Sequence, residues 1–365
     1  MTAQNHGTAA ESLFEREGPD WSSSPHSVLT DAAGPIAIDD ARAIVHAYYG
    51  IDADIHRLSG ERDDNFRVDV GETKWMLKIA HSKEEPRVTD FQSAILIHLA
   101  GHSVSVPTLV HTRNGSPHLW LPDGPAAGRA IRMTTFSPGT ALRNFESESP
   151  LCRRLGATIA DLDVALSDFR HSGSDVKLLW DIQQAHRTRE LIDHQPDLAG
   201  AEVLRRGFDR FVDEVTTRLA ERPRQVIHND ANPDNVLVVP SAPPMITFID
   251  FGDAVIAPPI VDLAVAASYH IGVGIERGIL GHAADVIEGY HSRLPLTVED
   301  AELLYDLITI RVLTALTIAS WRATQFPENK DYILRNAAGA WRRLEMLESA
   351  GRRTIEEEIK VRCQL

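Results

Sequence analysis

Apolar residues recur along this chain at two spacings, and the balance between them shifts near the middle. From Asp39, the residues Ala43, Ile44, Ala47 and Tyr48 recur at helical intervals until Gly50 stops the run. Residues 65–70 and 74–79 alternate as strands do, and Gly71-Glu72-Thr73 between them predicts a hairpin turn. Residues 87–100 return to helical spacing, with Phe91, Ala94, Ile95 and Leu99 on one face. Two more strands are expected around 108–111 and 129–135, after which Pro138-Gly139 interrupts the chain. Beyond Thr140, residues 151–166, 180–193 and 201–219 carry helical spacing. Short strands are expected at 226–227, 236–239 and 245–249, and from Val261 the pattern is helical almost throughout. The pattern therefore predicts an α+β chain of two lobes, a β-rich one over 35–138 and a mainly helical one over 139–365. Residues 1–34 show no sustained periodicity and are expected to form a flexible tail that docks locally, if at all, through Phe14 or Trp21.

Composition narrows the function classes. With 43% of 365 residues hydrophobic, the chain has ample material for a packed core. Lys plus Arg is 37 and Asp plus Glu is 52, so the net charge is 37 − 52 = −15. So acidic a surface repels phosphate backbones and anionic lipid, which argues against nucleic-acid and membrane partners and suits a cationic small substrate. Only Cys152 and Cys363 are present, which excludes a disulfide framework and fits a reducing cytoplasm. The first residues lack the apolar core of a signal peptide. The most apolar late stretch, 303–321, carries Asp306 and Arg311, which points to a packed helix instead of a membrane span.

The chemistry concentrates in the second half. Residues 226–238 read Val-Ile-His228-Asn229-Asp230-Ala-Asn-Pro-Asp-Asn235-Val-Leu-Val, an H-x-D-x-x-x-x-N pattern between two apolar runs. Ile249-Asp250-Phe251-Gly252-Asp253 then places D-F-G at the end of another strand. Both are kinase signatures, the first Asp a base, the Asn and second Asp magnesium ligands. Phosphoryl transfer needs a carboxylate near the attacking hydroxyl, and Mg²⁺ takes oxygen ligands from a few side chains. Loops leaving short strands can bring Asp230, Asn235 and Asp250 together. In the first half, Lys78 sits at the end of an apolar strand, where a lysine pairs nucleotide phosphates. The candidate phosphate-covering loop, 58–66, contains Gly60 and Asn65 but no GxGxxG, and a plain hairpin reads the same way. No GxxxxGK[ST] occurs, which removes the P-loop enzymes.

These residues resemble the aminoglycoside phosphotransferase-like small-molecule kinases, relatives of choline, ethanolamine and homoserine kinases. The diagnostic pair is the H-x-D-x-x-x-x-N loop and the I-D-F-G-D strand. Further segments look like the hydroxylysine kinase branch and the kinase domains fused to class III aminotransferases. They are Lys78-Ile-Ala with Pro86-Arg87, Asp90-Phe-Gln, Leu179-Trp180-Asp181, Asp253-Ala-Val and Val261-Asp262-Leu-Ala-Val-Ala. The resemblance runs from about Ile38 to the C-terminus. It implies a protein-kinase-like two-lobe fold, a small antiparallel sheet beside a larger helical lobe. It also implies Mg²⁺ and a nucleotide donor, with both ATP and GTP open because hydroxylysine kinases as a group favour GTP.

By the same resemblance, Asp230 orients or deprotonates the acceptor hydroxyl, Asn235 and Asp250 hold the metal, and Lys78 meets the α and β phosphates. The backbone from Met133 through Thr135 to Phe136 forms the purine-binding hinge. The lysine's usual helix partner is Glu, and Gln92 stands there; Asp90 or Glu85 is expected to take over that pairing, or nucleotide alone holds the lysine. His228 and Asp262 are expected to brace the catalytic loop. Asp253 either stabilises that loop or faces a cationic substrate, and Asp181 is either an ammonium contact or a helix-surface carboxylate. The implied activity is phosphorylation of a hydroxyl on a small amine-bearing molecule, hydroxylysine or a short amino alcohol, by a monomer or homodimer. The alternatives are an aminoglycoside O-phosphotransferase and a nucleotide-binding regulatory pseudokinase. A protein kinase is disfavoured because Pro258-Pro259 follows Gly252 too closely for an activation segment.

Overall fold

The structure, a computed structural model, describes residues 34–60, 63–195 and 197–365. The expected tail over 1–34 lies, Gly34 apart, outside the described residues, as do Glu61 and Arg62 of the loop over 58–66.

The chain begins with helix α1 (Ile38–Ile44), which runs on as a π turn (Val45–Tyr49) and ends at Gly50 with φ 72°. Strands β1 (Asp54–Leu58), β2 (Asp64–Val70) and β3 (Thr73–Ile79) then form an antiparallel meander. Helix α2 (Pro86–Leu99) precedes β4 (Leu109–Val110), β5 (Leu119–Trp120) and β6 (Ala130–Thr135). The strands assemble in the order β1-β2-β3-β6-β4, with β5 also on β6, all antiparallel. Period-two alternation puts Phe66, Val68, Leu77, Ile79, Ile131 and Met133 on one face, where they close over Ala41, Ile44 and Val45 of the N-terminal helix. The apolar face of α2, with Phe91, Ile95 and Leu99, turns away from that cluster and joins the core of the helical lobe.

The second half opens with β7 (Thr140–Ala141) and α3 (Ser149–Leu166), followed by α4 (Ala185–Asp193), α5 (Ala201–Glu214) and α6 (Thr216–Ala220). Then come β8 (Gln225–Ile227), β9 (Val236–Val239), β10 (Met245–Phe248) and β11 (Val255–Ala257). The rest is α7 (Ile260–Ser268), α8 (His282–His291), α9 (Val298–Gln325), α10 (Lys330–Ile333), α11 (Ala337–Ala350) and α12 (Arg352–Cys363). Strands β10-β9-β7 make one small sheet and β11-β8 a two-stranded ribbon, so the segments carrying His228 to Asn235 and Asp250 lie on adjacent supports. The fold is thus the α+β arrangement the pattern predicts, with local corrections. The helix expected over 201–219 divides at Val215 into α5 and α6, and β1, β5, β7 and β11 form where no strand is expected. The helix expected over 180–193 starts only at Ala185, because Asp181 caps a separate 3-10 turn (Ile182–Gln184).

Helix α9 is long and apolar enough to cross a membrane, and 83% of its most apolar window is buried inside the protein. Its two interior charges are paired there: Asp306 with Arg352 at 2.7 Å, and Arg311 with Asp230 at 2.8 Å.

Helices α3 and α8 meet backbone to backbone. A Cβ on Gly156 would lie 1.8 Å from the Val286 carbonyl oxygen, and one on Gly289 would lie 2.0 Å from that of Arg153. Neither neighbour is a side chain that can swing aside. Gly289→Ala is therefore expected to destabilise the fold by about 3 kcal/mol, the upper end for overpacking. A denaturant midpoint equal to the parent's would contradict this contact.

Candidate active site

Lys78 leaves β3 opposite Asn65 of β2, and in an antiparallel pair directly opposed side chains share a face. Its ammonium lies 2.9 Å from Asp63 Oδ2 and 3.3 Å from Asp250 Oδ1. Burial alone would lower the lysine's pKa; the carboxylates of Asp250 and Asp63 outweigh it and hold the pKa above the ordinary value. The amide of His81 pins Asp63 from the other side by donating to Oδ1 at 2.8 Å. None of the three side chains considered for pairing with Lys78 does so. Gln92 is buried and accepts from Arg132 on β6, Asp90 lies 3.5 Å from His171, and Glu85 pairs with Arg87 at 2.6 Å. The pairing falls to Asp63 because the turn into β2 brings its carboxylate over β3, while Gln92 faces the strand beyond.

Gly60 is packed tightly: a Cβ there would lie 2.4 Å from the Asp63 carbonyl oxygen and 2.6 Å from Asn65 Nδ2. The Asn65 Oδ1 is buried and accepts no hydrogen bond. At the expected hinge, Met133 lies fully in the core and its strand pairs on both sides, with Leu77 and Val110. Thr135 and Phe136 are exposed, but their amides already donate to Thr108 and Lys74.

The loop between β8 and β9 is held from below. Asp262, fully buried in the first turn of α7, accepts the amides of His228 and Asn229. Asn229 adopts φ 64°, a left-handed conformation that Asn tolerates better than most residues, and its side chain donates to the Asp253 carbonyl. His228 Nδ1 accepts the Asp230 amide at 3.2 Å and Nε2 bonds the Ile249 carbonyl at 3.1 Å. Both ring nitrogens are thus occupied by backbone, which leaves no lone pair for proton abstraction.

Asp230 is held on both oxygens. Oδ2 accepts from Asn235 at 2.6 Å and Asn232 at 2.8 Å, while Oδ1 accepts from Arg311 Nη2 at 2.8 Å. Burial pushes its pKa up to about 7; Arg311 opposes the rise, and the charges of Asp253 and Asp250 add to it. Asp250 also has a left-handed backbone, φ 59°, and its Oδ1 caps the amide of Gly252 at 3.1 Å. It is the more open carboxylate, its side chain 47% exposed. Asp253 is buried next to these groups. Asp181 differs from the expectation of a surface or ammonium-facing carboxylate. It is only 3% exposed and accepts from the Gln183 backbone and side chain at 3.0 and 3.1 Å, so its oxygens serve a local cap.

Beneath the loop, Asp163 of α3 lies beside the Asp262 carboxylate. Tyr290 donates to Asp163 Oδ2 at 2.7 Å, and the buried Oδ1 has no donor among the described residues. Burial and the Asp262 charge raise the Asp163 pKa well above the usual carboxylate range. An acid raised this way contributes most below its unfolded pKa of about 4, and stability is lost as pH climbs toward the folded value. Asp163→Asn keeps an acceptor for the Tyr290 hydroxyl and removes the titration. It is expected to be at least as stable as the parent at pH 7, with a shallower fall in stability between pH 4 and 7. A lower melting temperature at pH 7 would mean that Asp163 is ionised in the folded protein.

Sequence reasoning missed two side chains of this site. Asp63 lay unremarked inside the covering loop, and Arg311 was read only as a charge unsuited to a membrane.

Comparison with known proteins agrees with this geometry. Residues 54–296 match the model of the phosphotransferase enzyme family. Hydroxylysine kinase of Mus musculus is 23% identical over 367 residues, spanning 93% of this chain and 95% of that protein. Among solved structures, a microcompartment-associated aminopropanol kinase superposes with a TM-score of 0.67 at 20% identity, over 85% of this chain and 98% of the other. An amicoumacin kinase in complex with AMP-PNP, Ca²⁺ and Ami gives 0.64 at 15% identity, over 87% and 92%. The family match covers well over half the chain and includes both the lysine strand and the paired loops: the chain belongs to the phosphotransferase enzyme family and is a kinase with an alcohol group as acceptor.

Proposed function

We propose that this chain transfers the γ-phosphoryl group of ATP or GTP, with Mg²⁺, to a hydroxyl of a small amine-bearing metabolite, hydroxylysine or a short amino alcohol. One observation carries the reading: Lys78 of the sheet reaches Asp250 at 3.3 Å, while Asp230 and Asn235 are locked together at 2.6 Å beside it. Phosphoryl transfer asks little covalent chemistry of a protein and much positioning and charge neutralisation. Lys78 would meet the α and β phosphates. The chain around Thr135 and Phe136 would meet the base, through groups other than the two amides already bonded. Asp230 would orient the acceptor hydroxyl and take its proton.

The donor set fits a hard cation. Asn235 is anchored through its side-chain nitrogen, which leaves its side-chain oxygen without a hydrogen bond among the described residues, and Asp250 offers an accessible carboxylate. Two oxygen ligands suit Mg²⁺, which keeps water and phosphate oxygens for its remaining positions. Bound there, the ion would neutralise charge on the β and γ phosphates. The amine in the acceptor is supported by the charge of Asp253 beside Asp230, and by relatives named for hydroxylysine and aminopropanol.

The test is nucleoside diphosphate release with ATP and with GTP across hydroxylysine, ethanolamine, homoserine, choline and several aminoglycosides. Turnover with a small hydroxylated amine supports the reading. Turnover confined to aminoglycosides replaces it with antibiotic phosphorylation, and tight nucleotide binding without any turnover replaces it with a regulatory role.

A further inference from the structure

We infer that Arg311 is a positioning residue for phosphoryl transfer: from the middle of α9 it fixes the Asp230 carboxylate in the one orientation that faces the acceptor hydroxyl. This rests on the kinase reading above. Both asparagine amides bond the same oxygen of Asp230, Oδ2, so without a donor on Oδ1 the carboxylate would be tethered from one side and free to rotate. Arg311 supplies that donor at 2.8 Å. The guanidinium is itself held rigidly. It is 2% exposed, donates to the Tyr269 hydroxyl at 3.3 Å and to the Trp180 carbonyl at 3.4 Å, and lies 5.2 Å from the centre of the Trp180 ring. Three separate segments, the stretch before the 3-10 turn, the end of α7 and the loop between β8 and β9, therefore converge on one planar group carried by α9. A planar fork can satisfy all three partners at once, and a lysine ammonium cannot.

Misplacing a reacting group by about 1 Å can cost on the order of 10²-fold in rate. The experiment is a double-mutant cycle in kcat on the full chain, using the parent, Arg311→Gln, Asp230→Asn and the double variant, with Mg-nucleotide affinity measured in each. Arg311→Gln is expected to lose about 10²-fold in kcat with nucleotide affinity within about threefold of the parent. Because Arg311 acts through Asp230, adding Arg311→Gln to Asp230→Asn should cost less than about threefold more, since residues acting as a unit are non-additive. Arg311→Lys should recover part of the loss, and it stands in if Arg311→Gln does not fold. Parent-like kcat in both Arg311 variants, or losses that multiply in the double variant, overturns the inference alone. A parent chain that turns over no acceptor overturns the kinase reading and this inference with it.

Discussion

Asp230→Asn is expected to lower kcat by about 10³-fold or more while Mg-nucleotide still binds. The substitution keeps size and shape but removes the carboxylate that the proposed reading assigns to the hydroxyl proton; both nitrogens of His228 are engaged with backbone, and Asp234 pairs with Arg143 at 2.7 Å. An amide at this position also meets donors on every side. Asn232 and Asn235 aim at one oxygen and Arg311 at the other, so one face must set N–H against N–H. The buried guanidinium is left uncompensated as well, and breaking a buried pair from one side is costly. A lower melting temperature should therefore accompany the kinetic loss. Nucleotide affinity is the control, because Lys78 and Asp250 keep each other in place without Asp230. Steady-state kinetics with nucleotide titration checks this, and turnover within a few-fold of the parent would remove Asp230 from the chemistry.

The second large effect is expected at Lys78. Lys78→Met deletes the cation that stands between Asp63 and Asp250, two carboxylates that approach it from opposite lobes. The loss is double. In the proposed reading the nucleotide phosphates lose their partner from β3, and the two acids then face each other without a charge between them. An increase in nucleotide KM of about tenfold is expected together with a drop in kcat of about 10²-fold, because the interaction orients the phosphates as well as binding them. Asp63→Asn should act in the same direction and more weakly, since Asp250 still faces the ammonium. If Asp63→Asn left nucleotide KM and kcat unchanged, the pairing at 2.9 Å would be incidental.

Much of this site was legible before any coordinates because its chemistry is local in sequence. Asp230 and Asn235 sit five residues apart on one loop, Asp250 follows two short strands later, and Lys78 lies at the end of a run of alternating apolar residues. Spacing alone brings such groups near one another. The partners that spacing does not fix were the ones misjudged. Gln92 occupies the helix position from which a carboxylate would reach the lysine, yet it spends its oxygen on Arg132, and Asp63, fifteen residues before Lys78, reaches across the meander instead. No periodicity reports that contact. Arg311 is 81 residues from Asp230, and its position in an apolar run showed only that the helix could not lie in lipid comfortably. In retrospect, a buried arginine in a core helix asks for a carboxylate.

The fold shows the same division. The β2–β3 hairpin and the long helices announced themselves through alternation and helical spacing, whereas β1 and β11, like the two-residue β5 and β7, were passed over. Strand β1 buries Ile55 alone among its five residues, and β11 is three residues long. Neither contains enough apolar alternation to register, and both are defined by what they pair with.

The most direct test of the central claim is to identify the product. Phosphorus NMR of a reaction holding the chain, Mg²⁺, nucleotide and hydroxylysine, or a short amino alcohol in its place, separates a phosphate monoester from free phosphate. A new monoester resonance that grows with nucleoside diphosphate, needs the divalent cation and is absent with Asp230→Asn is the predicted result. Nucleotide consumed with only inorganic phosphate formed, for every hydroxylated amine tried, would contradict the account.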